Sequence, residues 1–178
     1  MVMTERYTRT AIWLHWLLAV MILGSLSVGV YMADLPFSPQ RVKLFNWHKW
    51  AGVTILALSA ARLLWRLTHK PPPDLPMPAW QQRSAHAAHL ALYALFFAVP
   101  LVGWAYSSAA GFPVVVFGVL PLPDFVPVDR ELAELIKPWH GWLAFTLGAV
   151  VVVHVAAALK HRFVDRDSTL GRMRPRLG

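Results

Sequence analysis

Cysteine is absent from the chain, which removes disulfides, thiolate metal sites, iron–sulfur clusters and covalent haem attachment through a CxxCH motif. Charge is scarce too: 15% of the 178 residues are Asp, Glu, Lys or Arg, and only 9 are acidic. The balance is basic, net +8 with a sequence pI near 10.5. That excess does not describe a nucleic-acid binder, because the charges lie in short stretches between apolar blocks instead of gathering into one face. What remains is apolar. Hydrophobic residues make up 57% and aromatics 12%, with a mean hydropathy of +0.47, too greasy for a soluble domain of this length, so membrane lipid is the natural solvent. With thiols excluded, histidine is the remaining soft ligand, and there are 8.

Four hydrophobic stretches are legible, at about 10–32, 47–67, 86–107 and 138–159. Each is long enough as a helix to cross a hydrocarbon core of roughly 30 Å at about 1.5 Å per residue. The breaks carry helix punctuation: Leu35-Pro36 with Pro39, the run Pro71-Pro72-Pro73 with Pro76 and Pro78, and the Pro- and Gly-rich segment from Gly111 to Pro127. Pro138 is expected in the first turn of the fourth helix, where proline is tolerated. The first stretch is not read as a cleavable signal peptide, since it exceeds an h-region and lacks a clean small-x-small site. The expectation is an all-α integral membrane four-helix bundle, a single domain over residues 1–178.

Lys and Arg fix the orientation. Arg6, Arg9, Arg62, Arg66, Lys70, Arg83, Lys160, Arg162, Arg166, Arg172, Arg174 and Arg176 fall on one side, twelve in all, against five on the other, Arg41, Lys43, Lys49, Arg130 and Lys137. Both termini are therefore expected to be cytoplasmic.

Depth then sorts the histidines. His140 lies near the outer end of the fourth helix, and His154 follows fourteen residues later, a rise of about 21 Å and close to four turns, so both point the same way. His48, near the outer end of the second helix, matches His140 in depth; His15, on the first helix, matches His154. Two pairs of imidazoles at two levels suit a bundle that grips a cofactor from inside. Imidazole is a standard axial ligand of haem iron, and filling both axial positions favours electron transfer over oxygen chemistry. A single membrane histidine, like a small glycine there, often serves packing alone, but four at matched depths mark function, because ionisable groups in hydrocarbon are costly. His86 and His89, three residues apart on the third helix, stand as alternatives to His15 at the inner level, or as a metal pair without a carboxylate. Gly24, Gly29, Gly52, Gly141 and Gly148 would let a flat macrocycle approach backbone.

The segments RYTRTAIWLHWLLAVMILG, HKWAGVTILALSAARLLWRLTHKPPP, AHAAHLALYALFFAVPLVGWAYSSAAGFPV and PWHGWLAFTLGAVVVVHVAAALKHRFVDRDSTLGRM together resemble the bacterial cytochrome b561 family over nearly the whole chain. The resemblance implies two haem b groups with axial ligands at His15, His48, His140 and His154, in agreement with the depths. It also implies a bacterial inner membrane and, from the best-described activity of the family, oxidation of periplasmic superoxide with reduction of ubiquinone. The alternative is an electron-relay subunit that passes electrons between a partner dehydrogenase and the quinone pool. Lys49 and Lys137, with Arg41, Lys43 and Arg130, are placed to attract a small anion at the outer end. His161, seven residues beyond His154 and beside Lys160, is placed to meet a quinone at the inner end. His69, on the proline-rich inner loop, is read as surface.

The twelve-to-five asymmetry predicts that a reporter fused after Gly178 is active only in its cytoplasmic form, and that a cysteine introduced between Pro121 and Pro127 labels from outside. The opposite labelling pattern would exchange the two ends.

Overall fold

The computed structural model describes residues 6–175. Its elements are α1 (Arg9–Ala33), α2 (Pro39–Thr68), α3 (Ala79–Ala109), a two-stranded antiparallel hairpin of β1 (Val115–Val116) and β2 (Leu120–Pro121), α4 (Arg130–Phe163), and a short 3₁₀ turn, Leu170–Met173. All four α-helices are long and apolar enough to span a membrane, so the chain is a multi-pass membrane protein.

Helix starts are set by capping chemistry, upstream of where hydropathy rises. The Ser38 hydroxyl accepts from the Arg41 N–H at 3.2 Å with Pro39 in the first turn, and the Asp129 carboxylate accepts from the Leu132 N–H at 3.1 Å with Glu131 beside it. Both arrangements satisfy backbone donors that a helix leaves orphaned at its start. As a result α2 and α4 begin eight residues earlier than the apolar stretches, and α3 seven. The extra turns are polar and belong to the interface. Pro138 is accordingly not in a first turn: it is an interior residue of α4. Pro100 likewise sits inside α3.

Consecutive helices run antiparallel, α1 packing on α2, α2 on α3 and, most extensively, α3 on α4, while the backbones of α1 and α4 meet at few points. Where small residues are lacking, the space between α4 and the α1–α2 pair is spanned by side chains. Leu18, Ile22, Ile55, Leu92, Leu95 and Leu147 form one buried cluster; Leu147 stands seven residues from both His140 and His154, so the cluster fills the middle of the bundle between the two histidine levels. Around it the outward faces remain apolar, as lipid requires. Trp47, Trp139 and Trp142 are exposed near one end and Trp80 near the other, the positions where amphipathic rings favour the headgroup layer.

The two chain ends are tied together. Arg6 donates to the Gly171 and Arg174 carbonyls at 3.0 and 2.7 Å, and Trp16 Nε1 donates to the Met173 carbonyl at 2.8 Å. At the opposite end, Lys49 Nζ donates to the Phe112 and Pro113 carbonyls at 3.3 and 3.1 Å, and Trp50 Nε1 to the Val115 carbonyl at 2.6 Å. These bonds lash the α3–α4 connection, including the hairpin with its left-handed Phe117 and Gly118 (φ 52 and 73°), onto α2 beside His48.

Because Leu147 is only 4% exposed and sits midway between the histidine levels, Leu147→Ala should cost about 2–4 kcal/mol, the range for a buried leucine cavity. Thermal or denaturant unfolding of the purified protein measures it; an unchanged transition would mean that the middle of the bundle is not closely packed.

Candidate functional site

Two histidine pairs face each other across the gap between α4 and the α1–α2 pair. At one level, the His48 and His140 rings have centroids 6.1 Å apart at an interplanar angle of 85°. At the other, the His15 and His154 centroids are 6.2 Å apart at 69°.

The first pair is positioned by the same device used twice. His140 Nδ1 lies 3.1 Å from the Val99 carbonyl; His48 Nδ1 lies 3.1 Å from the Ser25 carbonyl, with the Ser25 hydroxyl at 3.2 Å. A carbonyl only accepts, so each Nδ1 carries the proton and each Nε2 keeps its lone pair. In both cases the residue four positions beyond the accepting carbonyl is glycine. A Cβ on Gly103 would stand 2.7 Å from His140 Cε1, and one on Gly29 would stand 3.1 Å from His48 Cε1. Side chains at i and i+4 share a helix face, so a bare glycine on that face lets the ring lie close enough to reach the carbonyl. Of the glycines expected to admit a flat group, Gly29 has this contact; Gly24 and Gly141 meet nothing within 4 Å, and Gly52 and Gly148 touch Pro100 and Leu26. Gly103 was not foreseen, because nothing in its own stretch of sequence marks which ring crosses it.

At the other level His154 meets a second ring besides His15: His89, with centroids 5.5 Å apart. His86 turns away to Asp74, 3.3 Å from Nε2 to Oδ2, with most of its side chain exposed. Arg62 is the residue here that hydropathy conceals. Its guanidinium donates to the Ala11 carbonyl at 3.2 Å and stands in electrostatic range of His15, His89 and His154.

Further along α4, His161 Nδ1 is 2.6 Å from Asp167 Oδ2 and 3.3 Å from Asp165 Oδ2, and Lys160 pairs with Asp165 at 2.6 Å. Burial would raise the Asp167 carboxyl, but hydrogen bonds from Thr169 and His161 outweigh it and hold the group below its ordinary range. The ligand atoms of His161, Asp165 and Asp167 lie within 4.8 Å of one another, yet the Lys160 ammonium already neutralises part of that cluster. Of the outer cations, Lys49 is engaged with the connecting loop, Arg41 lies over the Phe45 ring at 5.4 Å and Lys43 over Trp47 at 4.8 Å. Lys137 stands exposed on α4, one turn before His140. His69 stacks on Trp65 with centroids 3.7 Å apart.

A four-helix membrane bundle that faces imidazole pairs across its interior defines a membrane cytochrome of the b type. Sequence comparison gives the family: the profile of prokaryotic cytochrome b561 matches residues 6–176, and the chain belongs to that family, whose members are transmembrane haem b electron-transfer proteins. It is 36% identical to cytochrome b561 homolog 2 of Escherichia coli over 95% of this chain and 91% of that one. It is 32% identical to a probable superoxide oxidase of Yersinia pestis, over 98% of each, and 31% identical to cytochrome b561 homolog 1 of Escherichia coli, over 97% and 98%.

The donor geometry fits haem. A metal–imidazole bond of about 2 Å on each side, plus the distance from nitrogen to ring centre, separates two axial rings by roughly 6 Å, and both pairs have that separation. The glycine surfaces under His48 and His140 add the clearance. Gly103→Ala should therefore displace His140 and lower haem content, read as the pyridine haemochrome per protein. Full haem content with an unaltered spectrum would show that the ring does not need the bare backbone.

Proposed function

We propose that the chain holds two haem b groups, one between His48 and His140 and one between His15 and His154, and uses them to oxidise superoxide outside a bacterial inner membrane and reduce ubiquinone on the cytoplasmic side. The carrying observation is the presence of two imidazole pairs, each at axial-ligand separation, at opposite ends of one bundle. When bound, haem b supplies the one-electron centre; the protein's residues place it, tune it and control access.

The overall balance is two superoxide anions oxidised to two molecules of O₂, with the two electrons and two protons converting one quinone to its quinol. Both termini are assigned to the cytoplasm on the Lys/Arg asymmetry, which puts His48 and His140 on the outer side. The groups around each ring favour inward transfer. Carbonyls that hold the Nδ1 protons of His48 and His140 strengthen the Nε2 donors and so favour the oxidised metal, whereas the Arg62 charge at the inner level favours the reduced one. Lys137, exposed beside the outer pair, attracts the anion; Lys49 contributes charge while fixing the loop above that pair. At the inner end, Asp167 holds His161 through Nδ1, which turns Nε2 toward a quinone carbonyl and makes the dyad a route for protons. The probable activity of the Yersinia pestis relative supports the choice of superoxide.

Stopped-flow reduction of the purified holoprotein by superoxide tests this reading. The rate should fall as salt shortens the screening length to about 10 Å at 0.1 M, and Lys137→Glu should slow it roughly two- to fivefold with both haem spectra intact. His161→Ala should leave that step unchanged and impair reoxidation by a ubiquinone analogue. Reduction that required an added dehydrogenase subunit would replace the enzyme reading with that of a relay.

A further inference from the structure

Between the ends of α1, α2 and α3 that lie beside His15 is a small open cleft of about 50 Å³. Four cations line it: Arg6, Arg62, Arg66 and Lys70, together with the aromatic rings of Trp65 and Tyr93. None of its described lining residues is acidic, and the ion pairs found among the described residues involve none of these four cations. Two of the guanidiniums are fixed from behind by backbone, Arg6 on the Gly171 and Arg174 carbonyls and Arg62 on the Ala11 carbonyl. Each of these has further N–H donors beyond those bonds, since guanidinium carries five.

The positive-inside tendency explains why cations are numerous at this end. It does not explain why four converge on one cleft with no carboxylate among them, an arrangement that self-repulsion disfavours unless an anion enters. Depth narrows the choice of anion. Lys70 lies just past the end of α2, and Arg62 lies six residues inside it, about 9 Å deeper. The cations therefore descend from the interface into the headgroup layer, with Trp65 and Tyr93 offering apolar ring surface where glycerol and the first acyl carbons of a lipid lie. Arginine suits the group, because its planar fork binds phosphate oxygens in bidentate fashion.

We propose that this cleft is a binding site for the phosphate headgroup of an anionic phospholipid, seated by Arg6, Arg62, Arg66 and Lys70 at the end of the bundle that carries both chain termini. The site adjoins the His15–His154 pair, with which it shares Arg62, and does not depend on the electron donor or acceptor.

The test uses the holoprotein in detergent, delipidated and then exchanged with phosphatidylglycerol or phosphatidylcholine, with bound lipid counted by native mass spectrometry. Phosphatidylglycerol should be retained and phosphatidylcholine washed away. Arg66→Gln combined with Lys70→Gln should weaken phosphatidylglycerol retention roughly 25-fold, at about a factor of five per interfacial cation removed, with haem content unchanged. Lys160→Gln, at the same end but outside the cleft, should have no such effect. Equal retention of both lipids, or unaltered retention in the double variant, would overturn the proposal. Displacement of the lipid by millimolar inorganic phosphate would reassign the cleft to free phosphate, and loss of haem from the double variant would reassign it to the haem carboxylates.

Discussion

A polar group carried into hydrocarbon must find its partner inside the protein, and here that demand falls on the imidazoles. Each of the two outer rings has one nitrogen on a main-chain carbonyl of a neighbouring helix, His48 on Ser25 and His140 on Val99. Those carbonyls already accept within their own helices and use a second lone pair for the ring. The bond consumes the proton-bearing nitrogen and leaves the other facing its opposite number across the gap. The tautomer of the uncharged ring and a fixed ring direction both follow from that single contact. It is also the contact that needs Gly29 and Gly103, so the small residues, the helix pairing and the facing of the two rings are parts of one constraint.

The apolar cluster between the levels answers a second need. Leu18, Ile22, Ile55, Leu92, Leu95 and Leu147 close the middle of the bundle, which keeps water away and holds the two histidine levels at a fixed separation. Because helix association in lipid gains little from the hydrophobic effect, such a layer stabilises mainly through close packing. A bundle that is weakly packed between α1 and α4 therefore depends on its centre and on whatever fills the space at each histidine level.

Much of this was readable before any coordinates. The four spans follow from hydropathy, and the pairing of His15 with His154 and His48 with His140 follows from a rise of about 1.5 Å per residue along antiparallel helices. What escaped depends on water and on neighbours. The polar first turns of α2, α3 and α4 lie outside the hydrocarbon, so hydropathy is blind to them and the caps Ser38 and Asp129 decide where the helices begin. Pro138 read as a helix start only because the preceding turns looked like loop. The hairpin at Val115–Pro121 is too short to show alternation. Arg62 counted as one more inner cation, since a linear sequence does not show that α2 brings it beside His15 and His154. His86 and His89 differ only in which way α3 faces: one ring meets His154, the other meets Asp74.

The two ends of the bundle are tied by different contacts. At the end that carries His48 and His140 the long connection is pinned to α2 by hydrogen bonds from the Lys49 and Trp50 side chains to the carbonyls of Phe112, Pro113 and Val115. At the opposite end the segment after α4 is held instead, by Arg6 and Trp16. There the Arg6 contacts draw the two termini to one side, a cationic cleft opens between three helices, and His161 is held by carboxylates on the segment that follows α4. Charge of the same sign is thus arranged differently at the two ends: at the His48–His140 end Lys49, Arg41 and Lys43 are each engaged with the loop or an aromatic ring, whereas at the other end Arg6, Arg62, Arg66 and Lys70 converge on one cleft.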